Sequence, residues 1–197
     1  MLCAGIGLGL LVTPTSVSST TEGAAAAVDA EVPNEVDIGF ATDMSFHHQQ
    51  ALAMSQRVLG TDTSGAVQAA AAEILQTQAY EMGLLQGWLR EWGESTAPPD
   101  MTTGEVMAWM GHARPADEMP GYATDEQMRE LAALTGSAKG RMFLELMRAH
   151  HVGGLHMAEH AAEHAATEKI RTAAATMVEV QTYDIAVFDD LLASDDT

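Results

Sequence analysis

The sequence predicts an all-α protein: an antiparallel four-helix bundle built from two duplicated helical hairpins, joined by a long crossover that contains short helices. Three observations carry this. Apolar residues make up 47% of the chain but aromatics only 5%, and alanine and 13 methionines supply much of the apolar count. That mix favours close-packed helices over sheets. Long stretches with helical spacing lie between glycine and proline stops. Finally, the chain repeats itself. Phe40, Met44, His47, His48, Leu52 and Met54 recur 103 residues later as Phe143, Met147, His150, His151, Leu155 and Met157. The match runs on without a gap: Ala70, Ala71 and Ala72 meet Ala173, Ala174 and Ala175, Gln78 meets Gln181, Tyr80 meets Tyr183, and Leu89 meets Leu192. Such a period is too long for a solenoid and describes a hairpin copied once.

The segment 1–12 is an apolar run shorter than the ~20 residues that span a bilayer. It resembles the apolar stretch of a signal peptide, with no Lys or Arg before it, and is expected to be a truncated signal or signal-anchor segment. Cys3 is the only cysteine, so no internal disulfide forms, and it lacks the preceding residues of a lipidation box. Residues 13–35 are rich in Ser, Thr, Ala and acids without an apolar face, and read as a flexible acidic linker. The bundle is expected over 36–193. Asn34 or Asp37 caps a first long helix over 36–59, stopped by Gly60. A second starts at Ser64 and stops at Gly93. Pro98, Pro99, Pro115 and Pro120 break up the crossover, where short helices are expected over 103–111 and 124–134. The second carries a Thr124–Gln127 capping box. A third long helix covers 138–165, and Thr167 caps a fourth that runs to about residue 192. No sheet is expected.

The formal net charge is −19, with nine Lys and Arg. Nucleic acid and anionic membrane surfaces are poor partners for such a chain, because phosphate neutralisation needs basic groups. Its field concentrates cations instead, although acidity that serves only solubility is the plain alternative.

The repeats retain imidazoles and thioethers. Residues rotate by about 100° along a helix, so Met44, His47, His48, Ala51 and Met54 share one broad face. Met147, His150, His151, Gly154 and Met157 do the same. Thioether sulfur is soft and prefers Cu(I) or Ag(I), while imidazole takes Cu(I), Cu(II) and Zn(II). Adjacent histidines point about 100° apart, so one of each pair faces the axis and the other lies nearer the helix edge. Methionine stripes usually form core, and a histidine on such a face is usually a hydrogen-bonded interior group. Four His and four Met recurring in register ask for more than a core does, since Leu or Ile would pack equally well. Gln78, Glu81, Gln181 and Asp184 occupy matching positions and suit either a shell that holds the imidazole N–H groups or ordinary surface polarity. His156, His160 and His164 line a stripe at intervals of four, either a second metal patch or a solvated stripe beside Glu159 and Glu163. The crossover holds Met101, Met107, Met110, His112, Met119 and Met128. These fill gaps against the bundle, or, for the pair Met110 and His112, act as ligands.

Both halves resemble the family of domain of unknown function three-zero-five, whose best-known member type is a copper-binding protein. The resemblance covers roughly 36–192. It rests on the Phe, Met, His-His and downstream Met pattern, on Met119-Pro120-Gly121, on the helix with Met128, on Phe143 through His151, on Gln78 with Glu81, and on Trp88. It implies a secreted or periplasmic protein with a ferritin-like helical arrangement; a signal-anchor over 1–12 would instead place the protein on the outer face of the cell membrane. It also implies copper, with silver as a mimic, held by Met44, His47, His48, Met54, Met147, His150, His151 and Met157. Tyr122 departs from the family pattern after the Met-Pro-Gly turn, and Gly153 and Gly154 are expected to loosen the third long helix.

Three functions are weighed. The first is an exported protein that sequesters or carries copper for homeostasis or resistance, with no organic cofactor. Its partners would be metal ions, with a copper-transfer protein and an N-terminal membrane anchor left open. The second is a structural or partner-binding bundle without metal. The third is a di-metal oxidase, which needs Glu-x-x-His pairs on two helices. The residues three before the eight histidines are Met, Ser, Trp, Met, Arg, Gly, Met and Ala, so that motif is missing. No nucleophile motif, phosphate loop or dinucleotide fingerprint is present, and the chain is expected not to be an enzyme.

Overall fold

The computed structural model describes residues 31–194. The expected signal segment 1–12 and most of the expected linker 13–35 lie outside the described residues. Five α-helices follow: α1 (Glu35–Val58), α2 (Gly65–Trp92), α3 (Asp125–Ala133), α4 (Gly136–His164) and α5 (Glu168–Ala193). The four long ones start and stop within two residues of where caps and breakers place them. Asn34 caps α1 in a reciprocal box with Asp37. Ser64 caps α2, which ends at Gly93 with φ 79°. Thr124 and Gln127 form their box at α3, and Thr167 caps α5.

Two expectations are corrected in the crossover. Residues 103–111 are not one helix. Glu105–Val106 and Arg114–Pro115 pair as short antiparallel strands β1 and β2, in the register Glu105↔Pro115 and Val106↔Arg114. A single 3-10 turn, Ala108–Met110, lies between them. The cause is Met107, held in the left-handed region at φ 63°, which no α-helix accommodates. Its N–H donates to the buried Asp43 carboxylate on α1 at 2.7 Å, and Trp109 Nε1–H donates to the same oxygen at 2.7 Å. A contact across the fold thus overrides local helix preference.

Helix α1 packs on α2, α4 packs on α5, and α1 lies against α4. The start of α1 meets the end of α4: Asn34 Nδ2 donates to His164 O at 3.1 Å. At the opposite end Lys139 Nζ donates to Arg57 O at 3.2 Å. The two helices are therefore antiparallel, with their histidine pairs at the crossing. The core divides there. Phe40, Met44, Met157, Ala158 and Ala161 pack together with Met107, Met119 and Met177 on one side. Met54, Val58, Phe143, Met147 and Met128 pack on the other. Burial of this apolar surface is the main stabilising term.

Gly153 and Gly154 do not loosen α4, which runs unbroken through them. They let neighbours approach. A Cβ on Gly153 would sit 2.0 Å from Pro120 O, and one on Gly154 would sit 2.5 Å from Gln181 Oε1. Helices α2 and α5 make little contact with each other. An open apolar groove of about 760 Å³ runs between them, lined by Leu84, Leu85, Trp88, Met177 and Val180. Among the described residues no helix is long and apolar enough to cross a membrane.

Candidate metal centre

The crossing of α1 and α4 brings the two repeats face to face. His47 and His150 stack with ring centroids 3.7 Å apart and planes 23° from parallel. His47, His48 and His150 are fully buried, and His151 is nearly so. Such burial follows from the apolar residues at helical spacing on both sides of each pair.

The hydrogen bonds fix which nitrogen carries each proton. His47 Nε2–H donates to the Pro120 carbonyl at 3.2 Å, and His150 Nε2–H donates to the His47 carbonyl at 2.9 Å. Carbonyls only accept, so both Nδ1 atoms keep their lone pairs. His48 Nε2 faces Glu81 Oε2 at 2.8 Å. The Nδ1 atoms of His47, His48 and His150 are buried without a hydrogen-bond partner. An imidazole anchored through one N–H to a carbonyl or carboxylate, with its other nitrogen free, has the arrangement of a metal ligand. His151 differs. Its Nδ1 donates to the Met147 carbonyl at 3.0 Å and its Nε2 faces Asp184 Oδ2 at 3.1 Å. Both of its nitrogens face oxygen atoms, whereas His47, His48 and His150 each keep one that does not.

The stacked pair is held neutral. Burial pushes His47 down to about 3, reinforced by the neighbouring His48 and His151 and opposed by the Pro120 hydrogen bond. Burial, then His47 and His151, lower His150 well below its ordinary value. Neutral imidazoles keep their lone pairs at physiological pH.

The sulfurs divide with the core. Met44 shares its cluster with Met157, and Met54 shares its cluster with Met147. Each side of the histidine layer thus has one thioether from either repeat, and all four methionines are buried. Of the four expected supporting polar residues, Glu81 and Asp184 hold imidazoles. Gln78 Oε1 and both amide atoms of Gln181 are buried with no partner. Among the described residues no three His, Cys, Asp or Glu side chains come together as an ion cage. The other soft side chains flanking the histidine layer are the four thioethers.

The remaining candidates lie elsewhere. Met107, Met119 and Met128 are core packing, and Met101 is 39% exposed. His112 Nδ1–H donates to the Met110 backbone carbonyl at 3.1 Å, so that pair is joined through the backbone and not through sulfur. His156, His160 and His164 lie at the surface end of α4, with His160 and His164 rings 4.4 Å apart. Sequence reasoning did not find the Pro120 carbonyl or Asp43. A carboxylate at position 43, on the same helix face as Phe40 and His47, was the available signal for Asp43. No side-chain signal exists for a carbonyl.

Comparison with known proteins agrees with this architecture. No curated protein matches the chain. A candidate secreted DUF305 protein from Streptomyces coelicolor is 39% identical, with TM-score 0.71, covering 80% of this chain and 91% of that one. A DUF305 fragment from Deinococcus radiodurans is 23% identical, with TM-score 0.70, covering 82% and 97%. CopM in its Cu(II)-bound form is 19% identical, with TM-score 0.62, covering 80% and 95%, and its Cu(I)-bound form is similar at 18%. The model of the domain of unknown function DUF305 matches residues 37–192, which spans the paired histidines and all four long helices. The chain belongs to the DUF305 family.

Proposed function

We propose that this chain is an exported, non-enzymatic protein that binds copper as cargo, through the thioethers of Met44, Met54, Met147 and Met157 and the imidazoles at the helix crossing. The observation that carries the reading is the set of three buried, unpartnered Nδ1 lone pairs, on His47, His48 and His150. An unmet buried acceptor costs roughly 1–3 kcal/mol, and a soft cation would offset that cost. Neutral ligands suit a monovalent ion, and Glu81 and Asp184 supply negative charge one ring away. Thioether-imidazole sets favour Cu(I) over Zn(II), and a net charge of −19 raises the local cation concentration. The likeness to copper-bound CopM and to a candidate secreted relative supports cargo and export alike.

One observation favours the metal-free structural reading: no three His, Cys, Asp or Glu groups converge among the described residues. Titration of metal-free protein with Cu(I) against a competing chelator separates the two. Uptake that disappears when His47, His48, His150 and His151 are replaced by Gln supports cargo binding. Affinity no better than that of a generic peptide, or uptake unchanged in the variant, defeats it.

A further inference from the structure

We propose that His112, His156, His160 and His164 form a second, surface site for a divalent cation of the Zn(II) or Cu(II) class, bound by paired imidazoles. This site shares no residue with the helix crossing and contains no thioether, so it goes beyond the copper reading in place and in chemistry.

His156, His160 and His164 follow one another at one-turn intervals on the last turns of α4. Side chains four apart on a helix lie on one face, and two histidines so spaced are an established way to chelate zinc. The crossover supplies a fourth ring: His112 sits 6.3 Å from His156, centroid to centroid. His160 and His164 are 4.4 Å apart. Two imidazoles on one tetrahedral ion, with metal–nitrogen bonds near 2 Å, have centroids about 5 Å apart. The measured separations bracket that value. Closing the difference takes side-chain rotation, which is fast for the exposed rings of His112, His156 and His164.

His112 is already set for the task. Its Nδ1–H is spent on the Met110 carbonyl, which leaves Nε2 as the free donor, as ligating histidines are usually arranged. Trp109 forms a fixed wall. Its ring stands edge-on to His160 at 5.5 Å, and its indole N–H is tied to Asp43. The α4 C-terminus adds its dipole, which favours cations within the last turn, and Glu163 lies 3.7 Å from His164. At rest the rings do not make a three-residue cage. The protein therefore supplies pairs, and water completes the coordination. Imidazole without sulfur selects borderline divalent ions over Cu(I).

Zinc is the discriminating probe, because it is redox-inert and a poor partner for thioethers. Calorimetric titration of the full chain with Zn(II) should show binding, with proton NMR shifts in the rings of His112, His156, His160 and His164. The surface double variant His156→Gln/His160→Gln should weaken Zn(II) by more than about tenfold and leave Cu(I) uptake unchanged. A core variant, Met44→Leu/Met147→Leu, should keep Zn(II) binding whether or not it binds Cu(I), so the two readings fail separately. Wild-type affinity weaker than about millimolar, or a Zn(II) affinity unaltered in the surface variant, overturns the proposal.

Discussion

At the scale of single residues, buried polar groups determine how this protein responds to acid. A histidine whose folded pKa lies below its unfolded value of 6.5 takes up its proton more readily when unfolded. Stability is therefore fully present above 6.5 and falls as pH drops towards about 3. For each such ring the slope approaches about 1.4 kcal/mol per pH unit. Thermal melts of metal-free protein should show Tm falling steadily between about pH 6.5 and 4. The His47→Gln/His150→Gln variant should show a flatter profile. Asp37 works in the same sense, at lower pH. Burial alone would raise its pKa, but hydrogen bonds from the Thr167 hydroxyl and from Asn34, Thr167 and Ala166 N–H groups outweigh it and hold the value low. Its stabilisation is present above the ordinary 3.8 and is lost as pH falls through the lowered folded value. Asp37→Ala leaves those donors unmet, and denaturant unfolding should show a loss of about 2–3 kcal/mol.

At the scale of elements, glycines separate helix propensity from packing. Gly153→Ala gains up to about 1 kcal/mol in intrinsic helix preference. Its Cβ, however, meets backbone at Pro120, which is no flexible side-chain tip. Overpacking of that kind costs about 1–3 kcal/mol, so the net change should be destabilising. Gly83 and Gly87, exposed on α2 with nothing within 4 Å, should each gain about 0.5–1 kcal/mol on replacement by Ala. Chemical denaturation of the three variants checks the contrast.

The same elements mark how much the sequence revealed. Helix ends were legible because Asn34, Ser64, Thr124 and Thr167 cap by local chemistry, and local chemistry is written in adjacent letters. The repeat offered Glu81 and Asp184 as holders of imidazole N–H groups beside ordinary surface polarity, but it did not pair them with His48 and His151. Met107 in left-handed conformation was not legible, because its cause is Asp43, 64 residues away. The approach of Pro120 to Gly153 was equally hidden, so those glycines looked like weak points in α4. They are contact points. The ring of His112 meeting His156 across the fold had no sequence signature beyond an isolated histidine.

At the scale of the whole molecule, binding and folding are linked. A ligand that binds only the folded state stabilises it by about 2.7 kcal/mol at a free concentration one hundred times Kd. Cu(I), buffered by a chelator, should raise Tm in proportion to the logarithm of its concentration. The His47→Gln/His48→Gln/His150→Gln/His151→Gln variant should melt at the same temperature with and without copper. The antiparallel contact of α1 with α4 makes this linkage global, because every proposed thioether–imidazole set takes side chains from both hairpins.

The two copies are no longer interchangeable. His48 keeps an unengaged nitrogen, whereas its counterpart His151 has both nitrogens committed. Ions arriving one after another would therefore meet unlike receptors, and loading should proceed in distinguishable steps, the second weaker than the first.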